Sequence, residues 1–290
     1  MSLEQLTRLP LLAGRLVRPR RRGHADPVLI GCGLICAGLL ALALIGPVLT
    51  PYPLDQTDIL NASQGPSAEH LLGTDSLGRD LLSRLLAGAR PSITAPAVIV
   101  LASTTLGVIV AVFAAWRGGR VDRVISRMLD VMFTVPGLLV AVIAAAILGT
   151  GFWVPVAALT VTYMPYIARI VHSAAIRECR LPYVEACQLA GLSSWRICTR
   201  HILRNIAPLA VAQATLAFAW ALMDFGAISF LGLGLQPPAA EWGSMVNEGR
   251  ADLLTGAIWE SMTAGVLIVL AAVSFNILGE RLAARIGDGS

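Results

Sequence analysis

Residues Tyr183 to Arg196 read YVEACQLAGLSSWR. The stretch lies between two long apolar runs, in a chain that is otherwise mostly apolar. Pro182 just before it suits the first turn of a helix, where its missing N–H is no loss. Tyr183 to Ala190 is made largely of good helix formers, and Gly191 stands where a helix-ending residue in the left-handed conformation belongs. Ser193 can then cap a second helix that runs through Trp195, Ile197 and Ile202 into the next apolar run. The small residues Ala186, Cys187, Ala190 and Gly191 make one end of the first helix thin enough to enter a partner's groove. Glu185 puts a negative charge near that helix's N-terminus, where the dipole favours it and a partner's arginine could reach it. The same residues also suit an ordinary surface helix lying on a bilayer, and their chemistry alone leaves both readings open.

Composition sets the class. The chain has 290 residues, 56% of them hydrophobic and only 14% charged, and a mean hydropathy of +0.72. That leaves too little polar surface for a soluble domain of this length and indicates an all-α integral membrane protein. All 22 basic residues are arginine. Without lysine the chain cannot carry a standard phosphate-binding Walker loop or form a Schiff base. The net charge of +4 is spread over short inter-helix loops, which argues against nucleic acid as a partner. The five cysteines, Cys32, Cys36, Cys179, Cys187 and Cys198, include no CxxC pair and read as small thiols.

A membrane span needs about 20 predominantly apolar residues. Six segments qualify, near 28–49, 93–115, 128–148, 152–172, 206–234 and 257–279. The first follows RPRRR at Arg18 to Arg22, but its apolar stretch is too long for a signal peptide and lacks a small-residue cleavage site, so it reads as a retained anchor. The chain thus divides into an N-terminal segment 1–27, an anchor 28–49, an external linker 50–92, a five-span core 93–279 and a tail 280–290. Placing both ends in the cytosol puts 18 arginines inside and leaves Arg79, Arg84, Arg90 and Arg250 outside, which is the positive-inside asymmetry. Within the linker, Leu81, Leu82, Leu85 and Leu86 make an apolar stripe with Arg79, Asp80, Ser83 and Arg84 off it. That pattern predicts an amphipathic helix on the outer membrane face, with Asp80 and Arg84 as an i,i+4 pair. Pro136, Pro155, Pro165 and the run Gly232-Leu233-Gly234 predict breaks inside the spans, which protein or a water-filled path would have to satisfy.

Ionisable groups inside a span usually face a cavity or a partner. Asp224, well inside the fifth span, is the leading candidate for a translocation path, with a bond to a neighbouring helix as its alternative. Asp130 is a second candidate. Asp130 and Glu260 lie near span ends, where interfacial placement or inter-helix pairing is the plainer reading. Snorkelling explains Arg169 and His172, and His172 has no second ligand nearby to suggest a metal. Trp242 and Trp259 flank the external loop 235–256 and suit the interface belt, while Glu241, Glu248 and Asp252 in that loop are available to an external partner. No HExxH or GxSxG motif occurs, so no catalytic or metal-binding residue is expected in this chain.

Glu185-Ala186-Cys187, three residues, then Gly191 resembles the EAA loop of ABC-importer permeases, which docks into the ATP-hydrolysing subunit. Cys187 stands where that family usually has alanine, and Arg204 follows Ile202-Leu203 where proline is common. His70 to Arg90, HLLGTDSLGRDLLSRLLAGAR, resembles the segment that precedes the core in the second permease subunit of dipeptide, oligopeptide and nickel importers. Ser229 to Asn247, SFLGLGLQPPAAEWGSMVN, resembles that subunit's fifth-span exit. The resemblance implies a type I ABC importer permease fold in the inner membrane, with Glu185, Ala186, Cys187, Ala190 and Gly191 as the ATPase-coupling residues. It implies as partners a homologous second permease, two ATPase subunits that bind ATP and magnesium, an external solute-binding protein and membrane lipid, with no cofactor in this chain. Di- or oligopeptides are the first expectation for the solute, nickel or another chelated metal the second, and a glutathione-like or opine-like solute a third. Related peptide permeases often place a glutamate one position after Asp224, where this chain has Phe225. A stand-alone carrier or channel is the alternative of a different class.

Overall fold

The computed structural model describes residues 27–287, and among these the chain is helical, with one isolated β-bridge between Thr74 and Asp80. The arginines before Pro27, including Arg18 to Arg22, and residues 288–290 of the tail lie outside the described residues. In chain order the helices are α1 (Pro27–Ile45), α2 (Leu81–Arg117), α3 (Gly119–Phe133), α4 (Gly137–Leu148), α5 (Trp153–Cys179), α6 (Pro182–Leu189), α7 (Ser194–Ile197), α8 (Leu203–Phe230), α9 (Trp242–Glu248) and α10 (Trp259–Gly287). A five-residue π-helical turn, Cys198–Ile202, joins α7 to α8. Five stretches are long and apolar enough to cross a membrane: 27–48, 81–117, 153–179, 194–230 and 259–284.

The third expected span, 128–148, is not straight. It divides into α3 and α4, bent by 78° at Thr134-Val135-Pro136, and makes a sixth crossing only if the bent pair counts as one. Pro136 lacks an N–H to continue α3 and disfavours helical backbone at Val135 before it. With 12 residues, α4 alone is about 18 Å long, well short of the roughly 30 Å hydrocarbon layer. α3 carries Arg120, Asp122, Arg123, Arg127 and Asp130 along its length and packs against α5.

The expected surface helix in the linker is instead the start of α2. Its 37 residues extend to about 55 Å, longer than a bilayer core, and its first turns are buried by the external loop and by α9. Leu81 and Leu85 are core residues here and do not lie on a membrane surface. Asp80 does not pair with Arg84. Its carboxylate caps α2, accepting from the Ser83 N–H (2.8 Å) and hydroxyl (2.7 Å). The Gly232-Leu233-Gly234 run also differs from expectation, because it ends α8 rather than breaking it. Gly232 takes φ +77°, its N–H bonds to Ser229 O, and the Leu233 N–H bonds to Ile228 O, which together satisfy the last carbonyls of the helix. Pro155 falls in the first turn of α5, where it breaks nothing, while Pro165 lies within that helix.

α2 is the centre of the bundle and packs against α1, α5, α8 and α9. Its buried face includes a small-residue run, Ser103, Gly107, Ala111 and Ala114, recurring every three to four residues. That lets two backbones meet closely: a side chain at Gly107 would stand 3.0 Å from Met164 O and 3.1 Å from Ala168 N of α5.

Candidate functional site

The turn between α6 and α7 folds from local signals. Leu181 precedes Pro182 at the first helical position, and Ala190 closes α6. Gly191 at φ +77° then donates to Gln188 O, and the Leu192 N–H donates to Cys187 O. Ser193 caps α7, its side chain accepting from the Arg196 N–H. Val184 and Ile197 are the buried anchors that hold the two helices down, and Tyr183 donates a 2.6 Å hydrogen bond to Glu178 at the end of α5. Burial and that carboxylate push the Tyr183 phenol well above its usual range, so it stays a neutral donor. Glu185, Ala186, Ala190 and Gly191 are all exposed, and Cys187 is half-buried. Two residues the sequence reading passed over stand beside them: Leu189 is 84% and Trp195 79% exposed. Their signal was present as large apolar residues at the tip of a polar turn.

The intramembrane candidates lie elsewhere. Asp224 of α8 is partly buried and accepts a 2.8 Å hydrogen bond from the Tyr163 hydroxyl of α5. Asp130 of α3 pairs with Arg169 of α5 at 2.7 Å, and both side chains are about half exposed. One α5 turn later His172 meets Asp122 of α3 at 2.6 Å. Arg169 and His172 are therefore inter-helix ties, and snorkelling does not account for them. They hold the amphipathic α3 along α5 ahead of the 78° break.

The end of the bundle where α2 begins holds a group of charges that local reading did not assemble. Arg79 bonds Asp75 (2.5 Å) and Glu248 (2.6 Å), and Arg84 bonds Glu248 (2.7 Å) and lies 3.5 Å from Asp75. Burial pulls the Arg79 guanidinium down, but Asp75 and Glu248 more than reverse this and hold it charged. Glu260 at the start of α10 is 2% exposed and approaches the same carboxylates. Glu241 caps α9, accepting from the N–H groups of Gly243 and Ser244 and from the Ser92 hydroxyl of α2. Burial pushes its carboxyl up against the pull of those donors. Trp242 is fully buried, donating from its indole to Leu85 O, and so is not part of an interface belt. Asp252 accepts from the Ser63 hydroxyl at 2.9 Å. Glu241, Glu248 and Asp252 thus tie the external loops to the bundle.

The family of binding-protein-dependent transport system inner membrane components matches residues 103–288. The chain belongs to this family. The glutathione transport system permease protein GsiD of Pectobacterium atrosepticum is 35% identical over 286 residues, covering 96% of this chain and 94% of that one. A putative peptide transport system permease protein of Brucella suis is 39% identical over 273 residues, covering 94% and 89%. The probable D,D-dipeptide transport system permease protein DdpC of Escherichia coli is 34% identical over 255 residues, covering 88% and 85%. An inward-facing structure of the MetNI methionine ABC transporter shares the fold, with a TM-score of 0.56 at 19% identity over 70% of this chain and 96% of that one. This inner membrane component is therefore a permease with the fold of an ABC importer's membrane subunit. The family match holds α3 to α10 and the α6–α7 turn. The charge group at the start of α2 in this permease falls partly outside it, at Asp75, Arg79 and Arg84, within the reach of the full-length relatives.

Proposed function

We propose that the chain is the membrane-spanning half of an ATP-driven importer for small peptides or peptide-like solutes. It would pair with a homologous permease, two ATPase subunits that bind ATP and magnesium, and an external solute-binding protein, and would hold both of its ends on the cytosolic side. The observation that carries the reading is the name shared by its relatives. The three above are called permeases for glutathione, peptides and D,D-dipeptides, and each aligns with nearly the whole chain. Nickel, the other solute the sequence suggested, gains no support from those three.

In this reading Glu185, Ala186, Cys187, Ala190 and Gly191 enter a groove of the ATPase, with Leu189 and Trp195 as apolar anchors. Closure of the ATPase pair would push on α6. The Gly191 turn and the π-helical turn 198–202 make a continuous path from α6 into α8, so the push would reach the helix that carries Asp224. Alternating access would then follow from rocking of the bundle against its partner. Asp224 and Asp130 are the groups proposed to meet the path or the second permease. Uptake of labelled dipeptide, labelled glutathione and labelled nickel, compared in cells with and without the gene, tests the solute. Loss of dipeptide or glutathione uptake is the expected result. Loss of nickel uptake alone would overturn the peptide reading while leaving the permease assignment standing.

A further inference from the structure

Beside the coupling turn lies an open cavity of about 710 Å3 lined by Tyr183, Thr199, Arg200, His201, Arg204 and Asn205. Its cationic groups are two guanidiniums, which stand beside an imidazole, a threonine hydroxyl, a carboxamide and a phenol. The carboxylate nearest to it, Glu178, is already taken by the Tyr183 hydroxyl (2.6 Å) and the Asn205 amide (2.6 Å). Among the described residues Arg200 and Arg204 have no ion pair or hydrogen bond of their own, so two cations border the cavity with no anion to meet them. They stand four residues apart across the junction of the π-helical turn and α8, and so share one helix face.

A second feature adjoins the first. Thr199 also lines a mostly apolar groove of about 680 Å3 between this turn and the end of α2, walled by Val108, Ile109, Val112, Phe113, Trp195 and Leu203, with Arg117 in the same lining. Charged donors and a hydrocarbon-lined slot thus sit on two sides of one threonine. The position suits a membrane boundary. α8 has 28 residues and is about 42 Å long, more than the roughly 30 Å hydrocarbon layer, so its first turn reaches headgroup level.

We propose that this composite site binds an anionic phospholipid, its phosphate among Arg200, Arg204 and His201 and one acyl chain in the groove beside Ile109 and Val112. Basic recesses between helices at a membrane surface have the chemistry for an anionic headgroup, and arginine meets phosphate in a bidentate fashion. An acidic segment of a protein partner would use the cations but leave the apolar groove empty. A lipid fills both. The inference does not depend on which solute the permease carries. A bound lipid here would wedge between α2 and the turn that leads from α6 into α8, and so would set how freely that turn moves.

The test uses the full permease–ATPase complex in nanodiscs of phosphatidylcholine with or without phosphatidylglycerol, with bound lipid counted by native mass spectrometry after extraction. Phosphatidylglycerol is expected to stay bound in preference to phosphatidylcholine. The double variant Arg200→Gln/Arg204→Gln should lower its retention about tenfold or more, and Arg200→Lys/Arg204→Lys should keep much of it. Ile109→Trp, at an exposed position in the groove, should lower retention with the cations intact. Unchanged retention in the double glutamine variant would overturn the proposal. So would displacement of the lipid by inorganic phosphate with Ile109→Trp neutral, which would assign the cavity to a free anion. Loss of the ATPase subunits from the double variant with lipid unchanged would assign the arginines to the protein partner.

Discussion

The two ends of this permease handle charge and apolar surface in opposite ways. At the end where α2 begins, Asp75, Arg79, Arg84, Glu248 and Glu260 are drawn together from the linker, α2, α9 and α10, and Arg84 is 0% exposed. Each of these two arginines faces the carboxylates of both Asp75 and Glu248. At the α6–α7 end Leu189 and Trp195 project outward, Ala186, Ala190 and Gly191 are exposed, and Arg200 and Arg204 have no partner among the described residues. A buried charge is retained only where opposite charges meet it, whereas large apolar side chains at the tip of a polar turn mark a surface meant to be covered. At the first end both arginines meet carboxylates of the chain itself, although Arg84 Nε and Nη1 and both Glu260 carboxylate oxygens are buried there without a hydrogen-bond partner among the described residues. The α6–α7 end leaves its large apolar side chains uncovered within this chain.

The largest way to break that contrast is at Arg84. Arg84→Ala leaves Asp75, Glu248 and Glu260 buried around a single guanidinium, and should cost about 3–5 kcal/mol, read as a large fall in the thermal stability of the purified complex. An unchanged melting temperature would mean that these charges are solvated and not structural. Glu241→Ala comes next. It removes the α9 cap and the acceptor for Ser92, and a loss of about 1–2 kcal/mol is expected in the same melting measurement.

Asp224 sharpens the contrast from the middle of the bundle. Asp224→Asn keeps an acceptor for the Tyr163 hydroxyl, so assembly should hold within about 1 kcal/mol while solute uptake falls several-fold if the carboxylate faces the path. Equal uptake by Asp224→Asn and the wild type would reduce Asp224 to an inter-helix bond. The smallest effect on the fold is expected at Ala186. Ala186→Trp adds bulk to an exposed helix face and should change stability by no more than about 0.5 kcal/mol, yet co-purification with the ATPase subunits should be lost. Normal assembly and uptake with tryptophan at 186 would show that α6 is an ordinary surface helix.

How much of this was legible in the sequence followed the range of the interactions. The α6–α7 turn rests on Pro182, Gly191 and Ser193, whose effects act within four residues, and it lies where the sequence places it. The apolar runs likewise locate the spans, because each is a property of one segment. The start of α2 was misread for the opposite reason. Leu81, Arg84 and Leu85 make an amphipathic pattern that suits a membrane surface equally well, and the partner that buries Arg84 lies 164 residues away. Glu241, Glu248 and Trp242 were taken as external for the same reason, since their partners on α2 and in the linker are visible only once the chain is folded. Asp224 was found by its charge alone. Its partner Tyr163, 61 residues earlier, carries no signal that tells it from other span tyrosines. The bend at Pro136 was marked in the sequence as a break, but its 78° angle and the Asp130–Arg169 and Asp122–His172 ties that hold α3 along α5 are visible only once the chain is folded.

Hydrogen–deuterium exchange on the permease in nanodiscs, with and without its ATPase subunits, reads both ends at once. Protection should rise across residues 182–197 when the ATPase binds and stay unchanged across 58–84, where Arg79 and Arg84 already meet carboxylates of the chain. Unchanged exchange at 182–197, or a rise confined to 58–84, would contradict the assignment of the α6–α7 turn as the surface that couples this permease to its energy source.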